Sequence, residues 1–86
     1  MSAAKTREAI CSEVAQLLRE ERSKRGLSLN SLAAKAGLSR QMVSYVEQEM
    51  RNPSLDTLLR ISDVLKINLD EVLRRARRAV DKESQK

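Results

Sequence analysis

Residues 28–54 read SLNSLAAKAGLSRQMVSYVEQEMRNPS, and the fold is decided in this stretch. Ser28 is placed to cap a short helix from Leu29 to Ala36, with Leu32, Ala33 and Ala36 on its inner face. Gly37 ends it, because a tight turn needs a residue that tolerates positive φ. Leu38 plugs the turn into the core, and Ser39 caps the next helix, Arg40 to about Gln48. In that helix Val43, Val46 and Glu47 share one face, and Arg40, Gln41, Ser44, Tyr45 and Gln48 share the other. The segment from Glu49 to Pro53 breaks helicity, with Asn52 pushed extended by the proline after it.

The same signals organise the chain on either side. Ile10, Val14, Leu17, Leu18 and Arg22 recur at helical spacing and predict a first helix from Thr6 to Arg25, stopped by Gly26. Ser54 caps a fourth helix, Leu55 to Lys66, carrying Leu58, Leu59, Ile61, Val64 and Leu65. A fifth begins near Asn68, with Leu69, Val72, Leu73, Ala76 and Val80 on one stripe. The expectation is an all-α, compact five-helix domain over residues 1–80, followed by a polar tail at 81–86. Within it, residues 28–48 have the pattern of a helix-turn-helix, in which the second helix enters the DNA major groove by its N-terminal half.

Composition narrows the function. The 17 Lys and Arg outnumber the 12 Asp and Glu, and a net charge of +5 on 86 residues favours an anionic partner, nucleic acid first. There is no histidine and one cysteine, Cys11. An ordinary zinc site, a disulfide within the chain and the commonest general base are therefore excluded. With glycine only at positions 26 and 37, no phosphate-cradling loop can be built. Asp56, Asp63 and Asp70 are spread along helix surfaces, so the reading is not an enzyme, with no cofactor, metal or small-molecule ligand. No apolar run approaches the roughly 18 residues of a membrane span, and MSAAKTREAI lacks the apolar stretch of a secretory signal. A lone thiol fits a reducing compartment, and the expected location is cytoplasmic. Cys11 reads as a small packing residue. The run Arg74-Arg75-Ala76-Arg77-Arg78 reads as a solvated face balanced by Asp70, Glu71 and Asp81.

From Gly26 to Leu73, GLSLNSLAAKAGLSRQMVSYVEQEMRNPSLDTLLRISDVLKINLDEVL resembles the phage repressor/Cro type of helix-turn-helix domain, the xenobiotic-response-element family. In size and five-helix layout the chain is similar to the controller proteins of restriction–modification systems. The resemblance covers about residues 14–73. It implies that Arg40, Gln41, Ser44 and Tyr45 read base edges, and that Ser28, Gln48, Arg51 and Asn52 lie near phosphates. It also implies that Arg22, late in the first helix, pairs with Glu47 as a structural bridge to the third. The chain departs from the family at three positions. Leu29 stands where relatives usually carry a phosphate-contacting glutamine, Glu49 where they usually carry glycine, and Met50 where they often carry lysine. A carboxylate at position 49 near a phosphate is repulsive unless the loop swings it away.

The function implied is sequence-specific binding of double-stranded DNA by a homodimeric transcription regulator, on a palindromic operator. The alternative is the DNA-binding antitoxin of a toxin–antitoxin pair, against which residues 80–86 leave little room for a wrapping arm. Paired recognition helices need a two-fold interface. Ile67, Leu69, Leu65 and Val72 are the expected dimer residues, with Ile61 and Leu73 adding apolar area. The early first helix (Ala4, Ile10, Cys11) and the late fifth (Ala76, Val80) are expected to pack on each other.

Overall fold

Serine opens four of the five helices in the computed structural model, which describes residues 2–49 and 52–84. Ser2, Ser28, Ser39 and Ser54 are extended, and each hydroxyl accepts from the N–H three residues on, at 3.2, 3.0, 3.0 and 3.1 Å. Each bond satisfies one of the donors that a helix start leaves unpaired. The helices are α1 (Ala3–Lys24), α2 (Leu29–Ala36), α3 (Arg40–Glu47), α4 (Leu55–Leu65) and α5 (Leu69–Ser84). Helix α1 starts earlier than its apolar stripe, because the Ser2 cap is reinforced by the Thr6 hydroxyl donating to Ser2 O at 3.0 Å. Helix α5 continues past Val80 to Ser84.

Three helices end by the same backbone device. The N–H of Leu27, Leu38 and Ile67 reaches back to the carbonyl of Arg22, Ala33 and Ser62 at 3.1, 2.9 and 3.1 Å. The residue before each donor is left-handed: Gly26, Gly37 and Lys66. These are Schellman endings, in which carbonyls of the last turn find donors beyond the helix.

The helices close around Leu18, Leu32, Val43, Ile61, Leu65, Val72 and Ala76, each at most 1% exposed. Helix α1 packs most extensively on α5, and α2 packs on both α3 and α4. The 22 residues of α1 reach about 33 Å at 1.5 Å per residue, which accounts for most of the 39 Å long dimension. The two long helices pack on each other, and α1 also packs on α3 and α4. Ala76 and Val80 are buried on α5, and Ile10 of α1 packs against the core cluster.

Two expectations are corrected by this packing. Leu65 and Val72 are 0% exposed within one protomer, so neither can contact a second copy. Ile61, at 1%, is equally out of reach. The monomer core uses these side chains completely, because α4 and α5 both turn their apolar stripes inward against α1. Cys11 is exposed rather than packed. Ala4, Cys11 and Ala15 lie on one flank of α1, yet only Ala15 of the three is covered. Around Cys11 that flank borders an open groove of about 540 Å³, lined also by Val46, Pro53, Leu58 and Leu73.

Candidate nucleic-acid interface

Helix α3 is divided along its length. Val43, Val46 and Glu47 are 0%, 3% and 7% exposed, whereas Arg40, Gln41 and Gln48 face solvent and Ser44 and Tyr45 are half-buried. The five polar side chains therefore form one outward strip on a helix whose other side is fixed in the core. Two bonds along the helix organise that strip. Gln41 Nε2 donates to the Tyr45 hydroxyl at 2.5 Å, and Gln48 Nε2 donates to Ser44 Oγ at 3.2 Å. Both are i,i+4 pairs, the separation at which helix side chains meet.

The strip carries the donors and acceptors that duplex recognition uses. Arg40 is the first helical residue after the Ser39 cap, and its guanidinium can span the O6 and N7 acceptors of guanine. Gln41 gives one amide hydrogen to Tyr45 and retains a carbonyl and a second hydrogen, the pair that matches adenine. Ser28, Gln48 and Asn52 are all exposed. The Ser28 oxygen is engaged as the α2 cap, which leaves its hydroxyl hydrogen to donate. Arg51 and Met50 lie outside the described residues. Lys35, in the last turn of α2, adds an exposed cation. On α5, Arg74 pairs with Asp70 and Glu71 at 3.8 and 3.5 Å, and Arg75 with Glu71 at 3.2 Å. Part of that arginine run is thus neutralised within its own helix.

Glu47 anchors the strip from beneath. Its Oε2 and Oε1 accept from Arg22 Nε and Nη2 at 2.7 and 3.0 Å, a fork that ties α3 to α1. The third arm, Arg22 Nη1, donates to Leu27 O at 2.9 Å and so holds the segment before α2 as well. The hydrogen bond with Glu47 raises the Arg22 pKa above its ordinary value, against desolvation and with help from the opposite charge. One guanidinium therefore registers α1, the approach to α2, and α3.

The departures from the family pattern have structural counterparts. Leu29, the first residue of α2, is half-buried against the core, so apolar packing replaces the polar contact a glutamine supplies there. Glu49 is left-handed, at φ 60°, and its Oε1 accepts from the hydroxyl of Ser12 on α1. Its carboxylate is thereby directed toward α1.

Two positioning residues escaped the sequence reading. Arg60 of α4 donates through Nη1 to Ala36 O at 3.3 Å and through Nε to Asp56 at 2.8 Å, so a cation sits at the carbonyl end of α2. The i,i+4 spacing of Asp56 and Arg60 was the available signal for half of this arrangement. Ser12 had none, because 37 residues separate it from Glu49.

No described helix is long and apolar enough to cross a membrane. The helix-turn-helix family matches residues 18–72, which contain α2, α3 and α4 whole. The chain is 33% identical over 61 residues to the HTH-type transcriptional regulator SinR of Bacillus subtilis, covering 70% of this chain and 55% of that protein. It is 39% identical over 54 residues to MJ1164 of Methanocaldococcus jannaschii, whose name places it among HTH-type transcriptional regulatory proteins. That match covers 63% of this chain and 17% of MJ1164. The chain therefore spans only part of the length of these relatives. Among solved structures it is similar to the clp gene regulator ClgR of Corynebacterium glutamicum, at a TM-score of 0.78 and 21% identity, over 88% of this chain and 81% of that one. It is similar also to a mutant of the restriction–modification controller protein C.Esp1396I, at 0.75 and 23%, over 85% and 95%. At these identities the structural likeness concerns the fold. With the family matched across 18–72 and the corresponding helices in place, this chain belongs to the helix-turn-helix family.

Proposed function

We propose that the chain is a DNA-binding transcription regulator that reads a palindromic operator as a homodimer, with α3 in the major groove. The observation that carries this reading is the division of α3, a buried apolar face beneath an outward strip of exposed Arg40, Gln41 and Gln48 and half-buried Ser44 and Tyr45. The chemistry of that strip matches base edges. Arg40 and Gln41 lie at the end of α3 that enters the groove, so they carry most of the base readout. Ser28, Gln48 and Asn52 sit to either side as phosphate contacts, and Arg51 belongs with them by its place in the chain. Transcriptional regulators among the relatives support this reading, and the antitoxin alternative gains nothing from them.

The dimer surface differs from the one the sequence suggested. With Leu65 and Val72 in the core and Leu69 at 9%, the most exposed large apolar side chains among the described residues are Leu55, Leu59 and Leu73, at 65%, 43% and 40%. Leu55 and Leu59 are one turn apart on α4, Leu58 stands beside them, and Leu58 and Leu73 line the same groove. Contiguous exposed apolar surface marks an interaction site. Half-buried Ile67 lies at the connection between α4 and α5.

The reading is tested by selecting duplexes from random or genomic DNA and titrating the winners against salt. The expected result is a palindromic consensus with half-sites about 34 Å apart. A dimer neutralising about 4–6 phosphates gives a log–log salt slope of roughly −4 to −5. Sedimentation of Leu59→Asp and Leu73→Asp variants should show monomers. Equal affinity for every duplex, or a wild-type monomer that protects one half-site, overturns the reading.

A further inference from the structure

Glu49 breaks three local rules at once. It is left-handed without being glycine, a conformation in which Cβ crowds the backbone. It places an anion just past the carbonyl end of α3, where the helix dipole favours a cation. It also follows Gln48 directly, so a duplex seated on the α3 strip brings its phosphates toward this carboxylate. Among the described residues the recorded side-chain partner of Glu49 is the Ser12 hydroxyl. Elsewhere Glu49 borders the open groove, with Ile10, Cys11, Val14 and Val46 along the same walls. The α3 exit is thus bound to α1 by a polar tie across a gap that apolar packing does not fill.

We propose that Ser12 and Glu49 form a positioning latch for DNA binding, in which Ser12 holds the carboxylate against α1 and away from the phosphate track. This rests on the DNA-binding reading above and adds residues that do not themselves touch DNA. Ser12 acts through Glu49. With the bond made, the duplex meets Gln48 and Asn52, and the anion is turned aside. With the bond lost, the carboxylate is free to swing outward and oppose one phosphate contact in each protomer.

The test is a cycle of Ser12→Ala, Glu49→Gly and the double variant, with operator affinity, salt slope and melting temperature measured for each. Ser12→Ala is expected to melt slightly below wild type, by the worth of one exposed hydrogen bond, and to bind the operator about tenfold more weakly, the combined cost of one like-charge contact in each protomer. Its salt slope is expected to be shallower, because an opposing anion cancels part of the phosphate neutralisation. Glu49→Gly removes both the anion and the strain, so it should bind like wild type. The double variant should bind like Glu49→Gly, which means that Ser12 no longer matters once the carboxylate is gone. Unchanged affinity in Ser12→Ala overturns the latch, and so does a loss that persists in the glycine background. Wild-type protein that selects no duplex overturns the DNA-binding reading itself, and the latch falls with it.

Discussion

Helix α3 is reached through Gly37 and left through Glu49, and both residues are left-handed, at φ 70° and 60°. The turn in is built by its neighbours. Glycine accepts the conformation, Leu38 N–H bonds to Ala33 O at 2.9 Å, and Ser39 caps the new helix. The turn out has no glycine and no basic residue in the last turn of α3, and its side-chain tie comes from Ser12 on another helix. The turn in thus rests on a glycine, a backbone bond and a cap, with Arg60 of α4 adding a bond to Ala36 O. The turn out has a local Glu49 N–H bond to Val46 O at 3.3 Å, whereas its side-chain tie reaches another helix. The N-terminal half of α3, which bears Arg40 and Gln41, is positioned by rules acting over a few residues. The C-terminal end takes its position from α1, through Arg22 on Glu47 and Ser12 on Glu49.

The largest expected effect tests the tertiary side of this contrast. Glu47→Ala leaves Arg22 without its anion in a site where the lost side chain was 6% exposed. Removing one partner of a buried pair typically costs about 3–5 kcal/mol. Denaturant unfolding should show that loss before any change in base preference appears. A variant that melts like wild type but selects a different operator would place Glu47 on the DNA side and invert the face assignment. Arginine sets the sign of the pH dependence. Its pKa is raised by the fold, so its contribution is complete below the unfolded value and is lost only as pH rises through the still higher folded value. Its share of the stability should accordingly be flat across the neutral range.

Next in size is the division of labour along α3. Arg40→Ala should cost about 1–3 kcal/mol of binding per protomer and relax the preference at one base position. Gln48→Ala, at the other end, should weaken binding to all duplexes alike and leave the consensus intact, as loss of a phosphate contact does. A consensus that changes with Gln48 and not with Arg40 would show that the C-terminal end of α3 does the reading.

The turn into α3 offers a smaller test. At Gly37 a side chain would suffer the positive φ, and its Cβ would stand 3.1 Å from Arg60 Nη1. Gly37→Ala should therefore destabilise by about 1–2 kcal/mol, the cost of a left-handed residue with a Cβ. Part of that loss should vanish in an Arg60→Ala background, where the guanidinium no longer crowds position 37. Full persistence of the loss would assign it all to backbone strain.

This contrast also explains what was legible in the sequence. The five helices, the Ser28 and Ser39 caps and the two faces of α3 follow from signals a few residues long, and the structure contains them. Arg22 and Glu47 meet, though their pairing was available only through the family resemblance, since nothing local links positions 25 residues apart. Leu65 and Val72 were misplaced for a related reason. Periodicity marks an apolar face, but it does not say whether that face is consumed by the protomer's own core. The exposed Leu55 and Leu59 belong to the same apolar helix, and only packing distinguishes them from Ile61 and Leu65. Ser12 and Arg60 were invisible because their roles exist only once α1 and α4 are laid beside their partners.

The smallest expected effect isolates the strain itself. Lys66 ends α4 in the left-handed conformation, at φ 56°, and is exposed. It shares the backbone geometry of Glu49 without the tie to a distant hydroxyl. Lys66→Gly removes the Cβ crowding and should stabilise the domain by about 0.5–1 kcal/mol, less than the full left-handed cost because glycine also gives the unfolded chain more freedom. For a domain of this size that is a rise in melting temperature of roughly 2–8 °C. Glu49→Gly releases the same kind of strain but gives up the Ser12 bond, so its rise should be smaller. Equal gains at the two positions would mean that the bond to Ser12 adds nothing to the fold. Its part would then lie wholly in where it keeps the carboxylate when DNA is bound.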